Sequence, residues 1–478
     1  MSRVRSAAIA ASAAFAFACG GRSTLPPLAQ PLTPTPDEPF RATPPPVETD
    51  ARPLVAPEVD ARILDNGLTV WVARRESHDA FVYLVNREGG RRFAKEPDAA
   101  TLAARVLAAR IDGKAGVASE SAYVRKRGDP IQVPYVFERL MTALSAGPVE
   151  GSRLRSERTQ LHNEAGFTSS SNAAWLVDRM ERGGPDHPLA QVPRVRTDAL
   201  TNVSGADVTV FIEGAYRPEA CAVIVVGPVD AATIHARAAE AFAAWRSREA
   251  VKASAPIGRL PSEGGRRIRF VPGRRTQAYV GLLLDGPSVQ STEAIDYEVM
   301  VAALSNGFVS RAQSRLRHDR GLTYGVYTQR RARTGNVRAM LGGWFDHDGA
   351  AQGAQGLLDV VDDLQKRPLD AAELDNAKAR LRASLHARLA STRGVAGYLR
   401  DVFAQELPPT YANAIEARLS DVTAADVTKA ARAALVPEQA RLVVLGLEPE
   451  FVAALSSIGT LVRTPLPVRS HRPTYYGR

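Results

Sequence analysis

Apolar residues along this chain recur with two different periods. Nearly unbroken apolar runs at residues 81–85, 223–226, 278–284 and 442–445 have the length and composition of buried strands. Between them the spacing changes. Leu102, Ala103, Val106 and Leu107 share one face of a helix predicted over residues 99–110. A second helix is predicted over residues 295–304, following the 278–284 strand as the first follows the 81–85 strand. The alternation lacks the strict rhythm of a doubly wound sheet, so the pattern predicts an α+β fold, helices covering a mostly antiparallel sheet.

The pattern also repeats. Residues 200–209 (Leu-Thr-Asn-Val-Ser-Gly-Ala-Asp-Val-Thr) match residues 419–428 (Leu-Ser-Asp-Val-Thr-Ala-Ala-Asp-Val-Thr), and Pro218-Glu219 matches Pro437-Glu438. Over residues 200–227, eleven of 28 positions are identical at the fixed offset of 219. Each copy reads the same way: Ser204 or Thr423 caps a helix, proline ends it, and a buried strand closing in Gly227 or Gly446 follows. The front ends correspond at an offset of about 198, so the first copy lacks about twenty residues after its first helix. Two copies this far apart imply two homologous domains rather than a solenoid. Their expected bounds are 59–245 and 266–465, with a charged, small-residue linker at 246–265 and a basic tail at 466–478.

The N-terminus carries different information. Arg3 and Arg5 precede an Ala/Phe/Ile run over residues 7–18 that breaks at Cys19-Gly20-Gly21, the pattern of a secretory signal at 1–18. Ala16-Phe17-Ala18-Cys19 resembles the lipobox of bacterial lipoproteins, which makes Cys19 the lipidated first residue. Eleven prolines between Pro26 and Pro57 predict an extended tether over 19–58. At about 3.1 Å per residue the stretch from Pro26 to Pro57 alone reaches roughly 100 Å. Gly20 is no strong inner-membrane retention signal, so the expected location is the periplasmic side of the envelope, outer membrane favoured. Beyond this leader no stretch is apolar enough to span a membrane. Cys221, in an apolar run, reads as a buried core thiol. The net charge of +10 is scattered and arginine-rich, only seven of 61 basic residues being lysine, and it points to no nucleic-acid partner.

Several stretches together resemble the pitrilysin/insulinase family of zinc metallopeptidases, in its two-domain branch similar to mitochondrial processing peptidase. They are Leu64-Asp-Asn-Gly-Leu-Thr-Val-Trp-Val72, His187-Pro188, Tyr216-Arg-Pro218 with Val225-Val-Gly-Pro-Val-Asp230, and Leu304-Ser-Asn-Gly-Phe-Val-Ser-Arg311 through Leu316-Arg-His-Asp-Arg-Gly-Leu-Thr-Tyr-Gly-Val326. The resemblance implies two duplicated domains facing each other as half of a clam-like chamber. Active members hold zinc with His-x-x-Glu-His on the first long helix, two histidines on one face and a glutamate to activate water. Here the resemblance places Ala104, Leu107 and Ala108 at those positions. The eight histidines (78, 162, 187, 235, 318, 347, 386 and 471) are too far apart to form the motif elsewhere. Glu157 and Glu164 match the later carboxylates, Glu164 as the third ligand, and read as solvated helix glutamates. Arg317 and Tyr324 match the pair that reaches the scissile peptide from the second domain, Arg317 ending a helix and Tyr324 beginning the next strand.

This division implies a lipid-anchored, non-catalytic subunit inactive alone, with no metal or cofactor of its own. Arg317 and Tyr324 would bind peptide or unfolded-protein substrate and the transition state. A homologous partner bearing His-x-x-Glu-His would supply zinc. The alternative is a stand-alone envelope scaffold with no catalytic role. An independent peptidase ranks last, because the chain has no Gly-x-Ser-x-Gly elbow and Cys221 has no evident base.

Overall fold

The computed structural model describes residues 52–169, 202–250, 264–273, 275–305, 307–332 and 336–463. The leader with Cys19, most of the proline-rich stretch, His187-Pro188, the centre of the linker and the basic tail lie outside these residues, as do the side chains of His162 and Glu164. The described chain forms two six-stranded sheets with helices, an α+β architecture. No described helix is long and apolar enough to cross a membrane.

The first sheet runs β1-β2-β6-β3-β5-β4, with β1 Asp60–Ile63, β2 Thr69–Arg74, β3 Ala80–Asn86, β4 Lys114–Val117, β5 Ala122–Gly128 and β6 Cys221–Gly227. The second runs β12-β7-β11-β8-β10-β9, with β7 Arg267–Pro272, β8 Ala278–Asp285, β9 Val326–Ala332, β10 Val337–Phe345, β11 Arg441–Leu447 and β12 Thr460–Arg463. Five strands correspond in order and direction. Only the edges differ, β1 being antiparallel to β2 and β12 parallel to β7. Backbone pairing recovers both sequence offsets. Phe81 pairs with Val226 and Tyr279 with Leu445; the first members stand 198 apart and the second 219. The difference arises where helix α1 (Pro97–Arg110) reaches β4 through residues 111–113, whereas its counterpart (Glu293–Ser305) reaches β9 through 306–325.

The repeated capping signals fold as written. Ser204 Oγ accepts from Asp207 N at 3.1 Å while the Asp207 carboxylate accepts from Ser204 N at 2.7 Å. Thr423 and Asp426 make the same reciprocal pair at 3.2 and 3.0 Å. Each satisfies two of the orphan donors at a helix start. Cys221 is buried and free, and loss of hydration pushes its thiol pKa up.

The halves share a core. One face of the first sheet is covered by its own helices around Leu102, Phe137 and Phe242. Its other face, bearing Trp71, Phe81 and Tyr83, joins the core of the second half beneath helix Thr392–Ala404. Trp71 meets Phe403 edge to face at 5.5 Å. The chain also crosses over at its start: Leu54 N donates to Glu416 Oε2 at 2.9 Å and Ala56 N to Asn413 Oδ1 at 2.8 Å. Packing therefore begins at Leu54, inside the stretch read as tether.

Candidate functional site

Helix α1 starts at Pro97, whose fixed φ suits the first turn, and is buried along most of its length. Ala104, Leu107 and Ala108 are all buried, and their methyl and isobutyl groups offer no ligand atom and no proton. Between them stands Arg105. Its Nε lies 3.0 Å from Glu157 Oε2 and its Nη2 donates to Gln160 Oε1 at 2.8 Å, both on helix Gly151–Ser169. Glu157 is 4% exposed, so the reading of it as a solvated helix glutamate is corrected: it is a buried carboxylate whose cationic neighbour is a guanidinium. Zinc needs at least three N, O or S donors in a tetrahedral arrangement. These positions do not fit it. Among the described residues no three of His, Cys, Asp and Glu converge on a metal-sized site.

Two histidines illustrate this dispersal. His235 is buried against Asp60 at 3.0 Å, and desolvation lowers its pKa. His347 pairs with the Arg275 carbonyl at 2.7 Å and stacks on Phe451. The partners of both lie outside helix α1.

The segment 306–325 is built differently, as a rigid frame with exposed tips. Arg311, nearly buried, anchors its start. It donates to Glu373 at 2.8 and 2.7 Å, to Asp363 at 3.2 Å and to the carbonyls of Arg367 and Pro368. That guanidinium holds the Glu373 carboxyl below its ordinary pKa. A wide π-type turn over Gln313–His318 follows, a form of helix that recurs at functional sites. It closes at Gly321, whose φ of +63° is the left-handed conformation that glycine adopts without strain. Gly321 N reaches the Arg317 carbonyl at 3.1 Å and Leu322 N the Leu316 carbonyl at 2.9 Å. Buried Thr323 then ties the segment to the sheet, its Oγ1 donating to the Trp344 carbonyl at 2.6 Å.

On this frame Phe308 and Tyr324 are exposed and Arg317 is half-buried. The Arg317 guanidinium lies over the Phe308 ring at 4.8 Å, and Phe308 is itself 64% exposed. Tyr324 is 85% exposed and lies in a bend two residues before β9 begins at Val326, not at the strand's first position as expected. Buried Thr323 and Gly325 on either side explain the difference: the backbone is fixed there by side-chain bonding rather than by strand pairing. Among the described residues Tyr324 has no hydrogen bond or ring contact, and Arg317 has no ion pair. Both are free to engage something outside the chain.

Three residues of consequence were not singled out by sequence reasoning. Arg105 was visible as the lone charge within a hydrocarbon stretch, but its partner lies on another helix. Arg311 ends a quoted motif without a role, and the structure makes it the anchor. Phe308 was an apolar residue inside the same motif, and only its exposure reveals it.

Residues 202–381 match the family model described as the peptidase M16 inactive domain, a stretch that includes Arg317 and Tyr324 and excludes helix α1. A peptidase M16 inactive domain from Pseudomonas fluorescens superposes with a TM-score of 0.72 at 18% identity, over 86% of this chain and 100% of that one. A protease from Helicobacter pylori gives 0.72 at 17% identity, over 81% and 99%. The first half of the periplasmic protease PqqL from Escherichia coli gives 0.67 at 14%, over 85% and 98%. No curated protein matches the chain.

Proposed function

We propose that this chain, a member of the M16 (pitrilysin/insulinase) peptidase family by its match to the inactive domain, is the non-catalytic subunit of a two-chain zinc peptidase of the cell envelope. Arg317 and Tyr324 are its contribution to the reaction. A homologous partner supplies the zinc, the general base and the other half of the chamber. One observation carries the reading: exposed Tyr324 and half-buried Arg317, which has no ion pair among the described residues, stand on a frame locked by Arg311, Gly321 and Thr323. A phenol and a guanidinium held this way can donate hydrogen bonds to a peptide carbonyl as it becomes an oxyanion. Rigid placement matters, because preorganised donors need no rearrangement at the moment charge develops.

The envelope location rests on the Arg3/Arg5 start, the apolar run at 7–18 and Cys19 as a lipidation site, with outer-membrane anchoring through the proline-rich stretch. It agrees with the description of one structural relative as a periplasmic protease.

The test is purification of the full chain from its source with whatever stays bound. A homologue bearing His-x-x-Glu-His should accompany it, and the pair should cleave peptides that neither cleaves alone. Tyr324→Phe should then lower kcat by about 10²-fold, the usual cost of one oxyanion donor. A pair that is equally active with Tyr324→Phe and Arg317→Ala removes the catalytic-support role. That outcome leaves the second reading, a peptide-binding scaffold, which the exposed Phe308–Arg317 stack favours by offering an apolar and cationic contact without chemistry.

A further inference from the structure

A cavity of about 350 Å³ opens where the first sheet meets the helices of the second half, away from both segments described above. Its floor is set by strand pairing. Tyr83 on β3 and Arg125 on β5 are directly opposite in the register, and Tyr123, two residues along β5, points to the same face. The two tyrosine rings lie 5.5 Å apart. The roof is the end of one helix and the first turns of the next, Thr392–Ala404, which bring Arg388, Arg393 and Arg400 to the cavity.

The charges do not balance. Asp401 pairs with Arg400 at 2.6 Å and with Arg388 at 2.5 Å, so one carboxylate serves two guanidiniums. Arg400 also lies over the Tyr123 ring at 4.7 Å. Arg125 and Arg393 make no ion pair or hydrogen bond with the described residues, and Arg393 sits in the first turn of a helix, whose N-terminal end adds positive potential. None of the described residues lining the cavity is acidic. Tyr83 is 2% exposed as a residue and lines the cavity, and among the described residues its hydroxyl has no hydrogen-bond partner. A hydroxyl at the cavity wall with no partner in the protein is available to donate to a bound oxygen.

We infer that this cavity binds a small dianion bearing oxyanion oxygens, a phosphate or a short dicarboxylate. Arg125 and Arg393 meet its two charges and the Tyr83 hydroxyl donates to one of its oxygens. The volume suits a small molecule and excludes a folded segment. Because the floor belongs to one half and the roof to the other, the bound anion bridges the two.

Gly397 supplies a clean blocking variant. A Cβ built there meets no atom within 4 Å, so a larger side chain grows into open space rather than into the fold. Calorimetric titration of the intact chain with inorganic phosphate, pyrophosphate and succinate, at ionic strength held constant with chloride, is the direct test. Saturable binding of at least one probe is expected with Kd below about 1 mM, and which probe binds distinguishes phosphate from dicarboxylate. Arg125→Gln and Arg393→Gln should each weaken it by 10-fold or more, and Tyr83→Phe by roughly 3- to 10-fold. Gly397→Leu should abolish it while the circular dichroism spectrum and melting midpoint are retained. The inference is overturned by absence of saturable binding below 1 mM, or by binding that is unchanged in the Arg393→Gln and Gly397→Leu proteins.

Discussion

Replacing Arg105 with alanine removes the cation that faces Glu157 and leaves its carboxylate in place. The Glu157 side chain is 6% exposed and that of Arg105 19%, so water can reach the guanidinium more easily than the acid. Breaking a fully buried pair in this way costs about 3–5 kcal/mol, and partial access of water to the vacated space reduces the expected loss to about 2–3 kcal/mol. Glu157→Gln should cost less, about 1 kcal/mol, because the neutral amide remains compatible with burial and Arg105 keeps its bond to Gln160. The double variant should recover part of the difference, with a coupling of about 1–2 kcal/mol. Thermal and urea unfolding followed by circular dichroism measures all three. A loss of 2–3 kcal/mol corresponds to a midpoint lowered by about 4–12 °C for a unit of 150–250 residues. Metal analysis of Arg105→Ala completes the test. If the guanidinium merely covers a site able to hold zinc, the variant should take up one equivalent and gain stability. Neither is expected: stability unchanged within about 0.5 kcal/mol, or stoichiometric zinc in this variant, would show that Glu157 is not a buried carboxylate dependent on Arg105.

Other consequences are as specific. Thr423→Ala and Ser204→Ala should each cost about 1 kcal/mol in equilibrium unfolding, since each removes one half of a capping box. Phe403→Ala deletes the ring that meets Trp71 across the halves and should cost about 3–5 kcal/mol, with hydrogen exchange rising in β3 and β6 as well as in helix Thr392–Ala404. Glu416 accepts from Arg382 at 2.9 and 2.8 Å and from Leu54 N, and the Arg382 hydrogen bond lowers its pKa below the ordinary 4.5. The unfolded chain therefore binds more protons in acid. The stabilisation is present above pH 4.5 and is lost as pH falls through the depressed folded value. Glu416→Gln should flatten the acid limb of a stability-against-pH curve; an unaltered limb would show that the pair contributes nothing.

Much of the fold was legible because it is encoded locally. The helix starts at Ser204 and Thr423 depend on residues three apart, and the offset of 219 could be counted directly from the repeat. The front offset of 198 was fixed by apolar pattern alone, and strand register reproduces it because a slip of one residue would turn Phe81 or Tyr279 to the opposite face. What could not be read is what depends on distant chain. The Arg105–Glu157 pair joins two helices about fifty residues apart in sequence; the resemblance marked Glu157 only as a match to a family carboxylate, and its residue type alone read as solvated. The packing of helix Thr392–Ala404 onto the first sheet has no local signal, since its apolar face looks like that of any surface helix. The cavity beneath it follows from that packing and was equally hidden. The sequence put Tyr324 at the start of a strand, after the break in the preceding helix, but Thr323 bonds to the Trp344 carbonyl and pairing begins two residues later, at Val326.

The two copies differ in a way that stability alone does not explain. In the first, the positions that the family resemblance assigns to metal chemistry hold hydrocarbon, and helix α1 correspondingly buries its own Leu102 and Val106 in one core with Phe137. Polar groups removed from such a helix no longer need hydrogen-bond partners, so the change favours packing. The second copy goes the other way. Its longer 307–325 segment carries Phe308 and Tyr324 mostly in water, where they bury little and contribute little to folding, while Arg311 makes five hydrogen bonds to Glu373, Asp363 and two carbonyls that only hold the segment still. A frame this well anchored around side chains this poorly buried breaks the consistency expected of a purely structural element, and such breaks concentrate where a protein meets a ligand. Loosening the frame should therefore matter more than its stability cost. Arg311→Met should lower peptide cleavage by the assembled pair as Tyr324→Phe does, and equal cleavage by Arg311→Met at a temperature where the variant remains folded would separate the frame from the function.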